Sequence, residues 1–184
     1  MANLLAERLD IPNLPHLFLG EAVAGEEAAL YAAVDSNRCH LRYQPWTVGI
    51  TSVETAADYL QQNLRAMAAG HRMQYRLRLR NQPEAILGSF TLHGFNPIEK
   101  EAQGGYWLVE SATGQGYAQE AMQRLIAEGR DALGLRKLKL NILPGNIASE
   151  RLAGRLGAAG TCSIMYEPLP DNRWQALRTW SIDL

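Results

Sequence analysis

The segment spanning residues 106–121 constrains the fold most strongly, because it predicts a strand that runs through a glycine turn directly into a helix. The apolar stretch Tyr-Trp-Leu-Val-Glu precedes Thr-Gly-Gln-Gly, and alanine, methionine, leucine and isoleucine then recur at helical spacing until Gly134. This spacing is typical of a helix with one apolar face that ends at a glycine. A further strand and helix follow, so the sequence predicts a mixed α+β fold.

The remaining chain alternates between strand and helix periodicities. Strands are predicted near residues 16–19, 73–80, 86–95, 105–110, 138–143, 161–167 and 178–184, and other helices over 26–41, 51–69 and 146–156. The second of these helices is expected to begin with a capping box at residues 51–54, and a polar loop is expected over 96–103.

The strand at residues 73–80 shows strict alternation of large apolar and basic side chains. Tyr75, Leu77 and Leu79 are predicted to face the core. Their basic neighbours are predicted to form a solvated face, with the alternative that one meets an acidic substrate or a ligand phosphate; these residues are Arg76, Arg78 and Arg80.

Length and charge limit the class of protein. A chain of 184 residues with 47% hydrophobic and 20% charged residues suits one globular domain over residues 1–184. Its 18 basic and 19 acidic side chains give a net charge of -1, which does not support a broad nucleic-acid-binding surface. Neither a basic leader nor ~20 consecutive apolar residues is present, so we expect a cytoplasmic protein that does not enter the membrane.

Cysteine and histidine are too scattered to indicate a metal site. Cys39 and Cys162 lie far apart, and the four histidines lack the paired spacing of zinc ligands. We therefore expect no metal and no structural disulfide. Cys162 could be imagined as a nucleophile, but a small buried strand residue is the simpler interpretation.

The glycine turn at residues 113–116 indicates an anion site, because unpaired N–H groups and the positive end of a helix dipole meet there. It lacks the Gly-Lys-Ser/Thr ending of a P-loop and the third spaced glycine of a dinucleotide fingerprint. The Gly-Gln-Gly sequence alone is equally compatible with an ordinary tight turn.

Two segments together resemble the GNAT superfamily of acetyltransferases. Residues 113–118 are similar to its acetyl-CoA pyrophosphate loop, Arg/Gln-x-x-Gly-x-Gly/Ala, with Thr113 in the first position, Gly116 in the fourth and Ala118 in the sixth. Residues 144–157 resemble its Asn-x-x-Ser-x-Arg…Leu-Gly-Phe stretch, although Ala158 replaces the phenylalanine. The resemblance is closest to the RimL-like ribosomal-protein serine N-acetyltransferases and extends over residues 37–46, 105–108 and 171–174.

The resemblance implies a GNAT fold, with a mixed central sheet flanked by helices, and acetyl-CoA as the acetyl donor. The pantetheine arm would lie between two strands that splay apart and would pair with the first of them. The implied cofactor-binding residues are Leu108, Val109, Thr113, Gly114, Gln115, Gly116, Tyr117, Ala118, Asn146 and Ser149.

The resemblance also implies roles in catalysis by direct attack of an amine on the thioester. Ser149 would protonate the departing CoA thiolate, although a serine in a first helical turn can equally bind only backbone or water. Asn146 would bind pantetheine, act as an N-cap, or do both. Gln103 stands where the family has an acidic residue and cannot act as a base, which leaves Glu110, Glu167 or a water chain.

Three functions remain open from the sequence. The resemblance implies a protein N-terminal serine or alanine as acceptor and a possible homodimer. A small amine, such as an amino-acid derivative or an antibiotic, is an alternative acceptor, since acceptors vary widely on one fold. A non-catalytic CoA-binding sensor is the alternative from a different class, supported by Thr113 and Gln103.

Overall fold

A computed structural model describes residues 6–168 and 174–184, and gives only the backbone for residues 161–163, 165–168, 174 and 175. Within these ranges eight strands form one sheet in the order β1-β2-β3-β4-β5-β6-β8-β7. The strands are β1 (Arg8–Asp10), β2 (Leu17–Glu21), β3 (Arg72–Leu79), β4 (Gly88–Asn96), β5 (Glu101–Leu108), β6 (Lys137–Ile142), β7 (Ala159–Pro168) and β8 (Trp174–Asp183). The predicted mixed α+β class is confirmed.

Helices cover both faces of this sheet. The α-helices of the described residues are α1 (Glu27–Asp35), α2 (Val53–Ala68), α3 (Tyr117–Leu133) and α4 (Ile147–Arg155). Short 3₁₀ helices span His40–Tyr43, Pro45–Gly49 and Glu110–Ala112. None of the helices in the described ranges has the length and apolar content needed to cross a bilayer.

The two faces of β3 show how the layers are arranged. Tyr75 and Leu77 are buried in the core on the face covered by α3, as predicted. Gly129 lets α3 approach the same face closely, because a Cβ atom there would lie 3.0 Å from a Leu92 methyl carbon. The opposite face meets the start of α1, where Glu26 contacts Arg76.

The predicted solvated face of β3 is wrong for two of its three arginines. Arg76 is 0% exposed and Arg78 is 8% exposed, whereas Arg80 is exposed and pairs with Asp10. Arg76 Nε donates to Glu26 Oε1 over 2.5 Å, and Arg78 donates to the other carboxylate oxygen. Alternation along a strand shows which side chains share a face of the sheet, but it does not show which face is exposed. The basic face of β3 is buried because the start of α1 supplies a carboxylate to pair with the arginines.

Helix α1 is shorter than predicted, because its last turn is followed by polar side chains that compete for backbone groups. It ends at Asp35, and Asn37 Nδ2 donates to the carbonyl of Ala33 over 2.9 Å. The chain then turns into the 3₁₀ helix that starts at His40.

The predicted capping box at residues 51–54 is displaced by one residue. Ser52 Oγ accepts from the Thr55 N–H, and Thr55 Oγ1 accepts from the Ser52 N–H over 2.9 Å. The polar loop expected over 96–103 is also shorter, since β5 begins at Glu101. The predicted stops at Gly134 and Gly157 are confirmed, with φ values of 64° and 83°.

Candidate active site

Strands β5 and β6 run parallel but pair over only part of their length. Their paired residues run from Glu101 opposite Lys137 to Gly104 opposite Leu140. A Cβ atom at Gly104 would lie 2.9 Å from a Leu140 methyl carbon, so a larger residue would have to displace the Leu140 side chain at the point where the strands separate. The sheet therefore opens beyond Gly104, as the resemblance implied.

The glycine turn after β5 leads into α3 beside this opening. Gly114 and Gly116 have φ values of 74° and 79°, which L side chains rarely adopt. No side chain caps α3 at Gly116, so its first N–H groups remain available to a ligand. A Cβ atom at either glycine would meet nothing within 4 Å, which leaves room for a pyrophosphate against the backbone.

A groove of about 680 Å³ extends from this turn to the start of α4. Arg42 and Arg155 line the groove, and no aspartate or glutamate of the described chain does. Its shape and positive charge fit the phosphates of acetyl-CoA.

A second cavity of about 370 Å³ lies on the sheet face that carries Glu26 and Arg76. Its floor is polar and is formed by strands β3 to β6, including Gln74, Ser89 and His93. Its rim is aromatic, because Trp46 stacks on Tyr59 with ring centroids 4.8 Å apart. Such a cavity suits an acceptor with both polar and apolar parts.

The two cavities meet at residues from three segments of the chain. Both are lined by Tyr43, Gln44, Tyr106, Trp107, Asn146 and Ser149. A donor in the groove and an acceptor in the second cavity would therefore come into contact there. This junction is the candidate reaction centre.

Ser149 lies at the junction and is held from two sides. Tyr106 Oη donates to Ser149 Oγ over 2.9 Å, and the Ser149 N–H donates to Asn146 Oδ1 over 3.3 Å. Burial raises the pKa of the Tyr106 hydroxyl, although the hydrogen bond to Ser149 and the charge of Arg155 oppose this. The tyrosine therefore stays protonated, and Ser149 keeps its own proton available for a neighbouring atom.

Asn146 serves as the N-cap of α4 through its side-chain oxygen. Its amide nitrogen is left for another partner, so the capping and ligand roles are compatible. The preceding glycine is anchored as well, because Tyr43 Oη donates to the Gly145 carbonyl over 2.9 Å.

Most of the cofactor-binding residues expected from the sequence come together in the groove. Those that line it are Leu108, Thr113, Gly114, Gly116, Tyr117, Ala118, Asn146 and Ser149. Val109 is buried and its N–H donates to the Leu87 carbonyl, while Gln115 is exposed and donates to the Ser111 carbonyl. Neither lines the groove, so both lie behind or beside the expected ligand.

The candidate bases are placed less favourably. Glu110 is exposed in the 3₁₀ helix after β5 and lines neither cavity. Glu167 lies on β7, opposite Gln175 of β8, and its side chain is outside the described part of the structure. Gln103 lines the second cavity, where its side-chain oxygen accepts from Asn141 Nδ2 over 3.0 Å.

The sequence did not predict Tyr106, Tyr43 and Gln44 as site residues. Gln44 Nε2 donates to the Tyr106 carbonyl over 3.1 Å, which ties the rim to β5. Tyr106 was part of the Gly-Tyr-Trp-Leu resemblance, and its position just past the glycine pair was the available signal. The partnership with Ser149 joins residues 43 positions apart and has no local signature.

Comparison with known proteins agrees with this geometry. The family model described as an acetyltransferase (GNAT) domain matches residues 17–159. The ribosomal-protein-serine acetyltransferase of Escherichia coli K12 is 26% identical over 129 residues, which is 70% of each chain.

Solved structures show the same fold. A RimL ribosomal alpha-N-protein acetyltransferase in complex with coenzyme A superposes with a TM-score of 0.82 at 25% identity, covering 95% of this chain and 97% of that one. A microcin self-immunity acetyltransferase in complex with acetyl-CoA and AMP gives a TM-score of 0.80 at 16% identity, covering 92% and 93%. The predicted GNAT fold is confirmed, with acetyl-CoA as donor.

The matched family model covers most of the chain and includes the opened sheet, the glycine turn and the start of α4. The chain belongs to the acetyltransferase (GNAT) family and is an acetyl-CoA-dependent N-acetyltransferase.

Proposed function

We propose that this protein acetylates the α-amine of a protein N-terminus that begins with serine or alanine, as in ribosomal-protein modification. The observation that carries the proposal is the junction of a donor groove and a separate acceptor cavity at Ser149 and Tyr106. The similarity to ribosomal-protein acetyltransferases supports this acceptor. Such a reaction belongs in the cytoplasm.

The chain contributes positioning and one proton to this chemistry. The turn at Gly114 and Gly116 holds the pyrophosphate, and Asn146 orients the pantetheine arm at the opening between β5 and β6. A backbone N–H of β5 polarises the thioester carbonyl as the amine attacks. Ser149 then protonates the leaving thiolate and regains a proton from water, while Tyr106 stays protonated and orients the serine through the hydrogen bond between them.

The attacking amine must lose a proton, and water is the simplest acceptor. No carboxylate of the described residues lines the acceptor cavity. An α-amine has a pKa of ~7.7–8.0 against ~10.4 for lysine, so more of it is already free at neutral pH. This favours an α-amine over a lysine side chain. Glu110 and Glu167 stay candidate bases that act through water.

The deciding experiment is mass spectrometry of a peptide and small-amine library incubated with the protein and acetyl-CoA. We expect acetylation at the α-amine of Ser- and Ala-starting peptides, with much less at lysine. Acetylation confined to small amines would contradict the proposed acceptor. CoA binding without turnover across the library would favour the non-catalytic sensor.

Asn146 and Ser149 are expected to have separable roles. Asn146→Ala should weaken acetyl-CoA affinity by roughly 1–3 kcal/mol, because a buried ligand amide loses its partner. Ser149→Ala should leave acetyl-CoA affinity nearly unchanged and lower kcat by about 10- to 100-fold. The variant lacks the acid that protonates the CoA thiolate, and the effect is limited because a thiolate leaves readily without protonation. Calorimetry and steady-state rates measure the two effects.

Asn146→Ser is the matched control for the capping role. It retains an oxygen that can accept from the Ser149 N–H, so stability should stay near wild type while affinity still falls. The reverse pattern, with Ser149 governing affinity and Asn146 only turnover, would mean that the pantetheine arm lies elsewhere.

We also propose that the chain is one domain over residues 1–184 and forms a homodimer. Sedimentation equilibrium gives the mass in solution directly. A 20.4 kDa species at all concentrations would contradict the dimer.

A further inference from the structure

The acceptor cavity carries an unbalanced positive charge. Among the described residues that line it, Arg72 is the one permanently charged side chain, and none is aspartate or glutamate. His93 lies directly opposite Arg72 in the pairing of β3 and β4. Burial, together with the charge of Arg72, lowers the pKa of His93 to about 4, so its ring is neutral at physiological pH.

Arg72 differs from the other arginines on this face of β3 in its charge partners. Arg76 and Arg78, on the same strand and sheet face, both pair with Glu26, whereas Arg72 forms no ion pair within the described residues. Its side chain is partly withdrawn from water at the far end of the cavity. A half-buried guanidinium with no neighbouring carboxylate can bind an anion, because the anion supplies the opposite charge that the protein does not.

We propose that Arg72 forms an anion subsite of the acceptor cavity and that the acceptor carries a carboxylate or phosphate in addition to its amine. This inference rests on the proposed function. The neutral His93 ring and the Gln103 amide, which faces His93 across β4 and β5, flank the subsite and can add hydrogen bonds. The substrate class is therefore an acidic amine, either an N-terminal peptide with an early acidic residue or a small acidic aminoacyl compound.

The sheet geometry sets the spacing between amine and anion. Gln103 and Tyr106 are three residues apart on β5, and Arg72 lies two strands away from Gln103. With ~3.4 Å per residue and ~4.8 Å between strands, the backbones of Arg72 and Tyr106 are roughly 14 Å apart. The side chains of Arg72 and of the acidic residue extend toward each other, so the peptide backbone has to span less than this distance. An extended peptide advances ~3.3–3.6 Å per residue, so the acidic side chain should stand at position three or four.

The test compares Ser-starting peptides in which one aspartate or one asparagine is placed in turn at positions two to five. We expect aspartate at position three or four to raise kcat/KM roughly tenfold or more over its asparagine twin, through lower KM. Arg72→Gln should abolish this difference, and Arg72→Lys should keep part of it. The second arm uses small amines with and without a carboxylate or phosphate at a similar distance.

Arg65→Gln is the matched control, since Arg65 is exposed on α2, lines neither cavity and changes the net charge equally. It should retain the aspartate preference, and acetyl-CoA should stabilise all variants alike. A wild-type enzyme indifferent to acidic groups in both arms, or a preference that persists in Arg72→Gln, would overturn the subsite. If small acidic amines react and depend on Arg72 while no peptide reacts, the subsite stands and the protein N-terminus is wrong.

Discussion

A Gly116→Val variant should fold and yet lose acetyl-CoA affinity by about 100-fold or more. The valine side chain would occupy the open space over the turn, where a Cβ atom now meets nothing within 4 Å. Displacing the pyrophosphate removes charge-assisted hydrogen bonds to the first N–H groups of α3, each worth about 1.5–3 kcal/mol. Isothermal titration calorimetry measures the affinity, and circular dichroism confirms folding.

Gly134→Val is the matched control, because it lies at the opposite end of the same helix. Gly134 also has a positive φ, 64° against 79° for Gly116, and also has open space at its Cβ position. Both variants should therefore lose a similar 1–3 kcal/mol of stability from backbone strain. Only Gly116→Val should lose the stabilisation by acetyl-CoA, which is about 2.7 kcal/mol at 100 times the dissociation constant. Unchanged binding in Gly116→Val would place the phosphate site elsewhere.

A Glu26→Gln variant should be destabilised by about 3–5 kcal/mol, as when one partner of a buried ion pair is removed. Two guanidiniums on β3 share this carboxylate, and Arg76 Nη2 already has no partner among the described residues. Burial lowers the pKa of Arg78, while Glu26 opposes that shift, so loss of Glu26 leaves two buried cations facing each other. Urea unfolding monitored by circular dichroism measures the change.

Glu27→Gln provides the control at the next position. Glu27 stands in the first turn of α1 and is only partly buried, so neutralising it costs a helix-dipole interaction of about 0.3–1 kcal/mol. Equal destabilisation by both substitutions would mean that the buried ion pairs of Glu26 with Arg76 and Arg78 contribute no stability beyond a helix-dipole interaction.

The buried network also bears on activity, because it supports the floor of the acceptor cavity. Arg76 Nη1 donates to Ser89 Oγ over 2.8 Å, and Ser89 also accepts from Gln74. Both Ser89 and Gln74 line that cavity. Glu26, which lines neither cavity, therefore positions the acceptor site through β3 and β4.

The sequence alone predicted many of the residues that line the donor groove, among them the turn at Gly114 and Gly116. The turn at residues 113–118 is formed by consecutive residues. Its glycines, Gly114 and Gly116, have positive φ values, and this preference can be recognised from the local sequence. Asn146 and Ser149 are likewise joined by a cap three residues long. Such features depend on short-range geometry, so a motif identifies them without knowledge of the remaining fold.

The tertiary structure alone decided the acceptor side. Strand alternation correctly separated Tyr75 and Leu77 from Arg76 and Arg78, but it could not show that α1 covers the basic face with Glu26. Arg76 is buried by its contact with Glu26, which lies 50 residues away in the sequence. A contact between residues so far apart produces no periodic pattern from which it could be predicted. For the same reason the sequence could not predict the hydrogen bond from Tyr106 to Ser149, nor that Arg72 has no ion-pair partner among the described residues; both depend on how the strands and helices pack together.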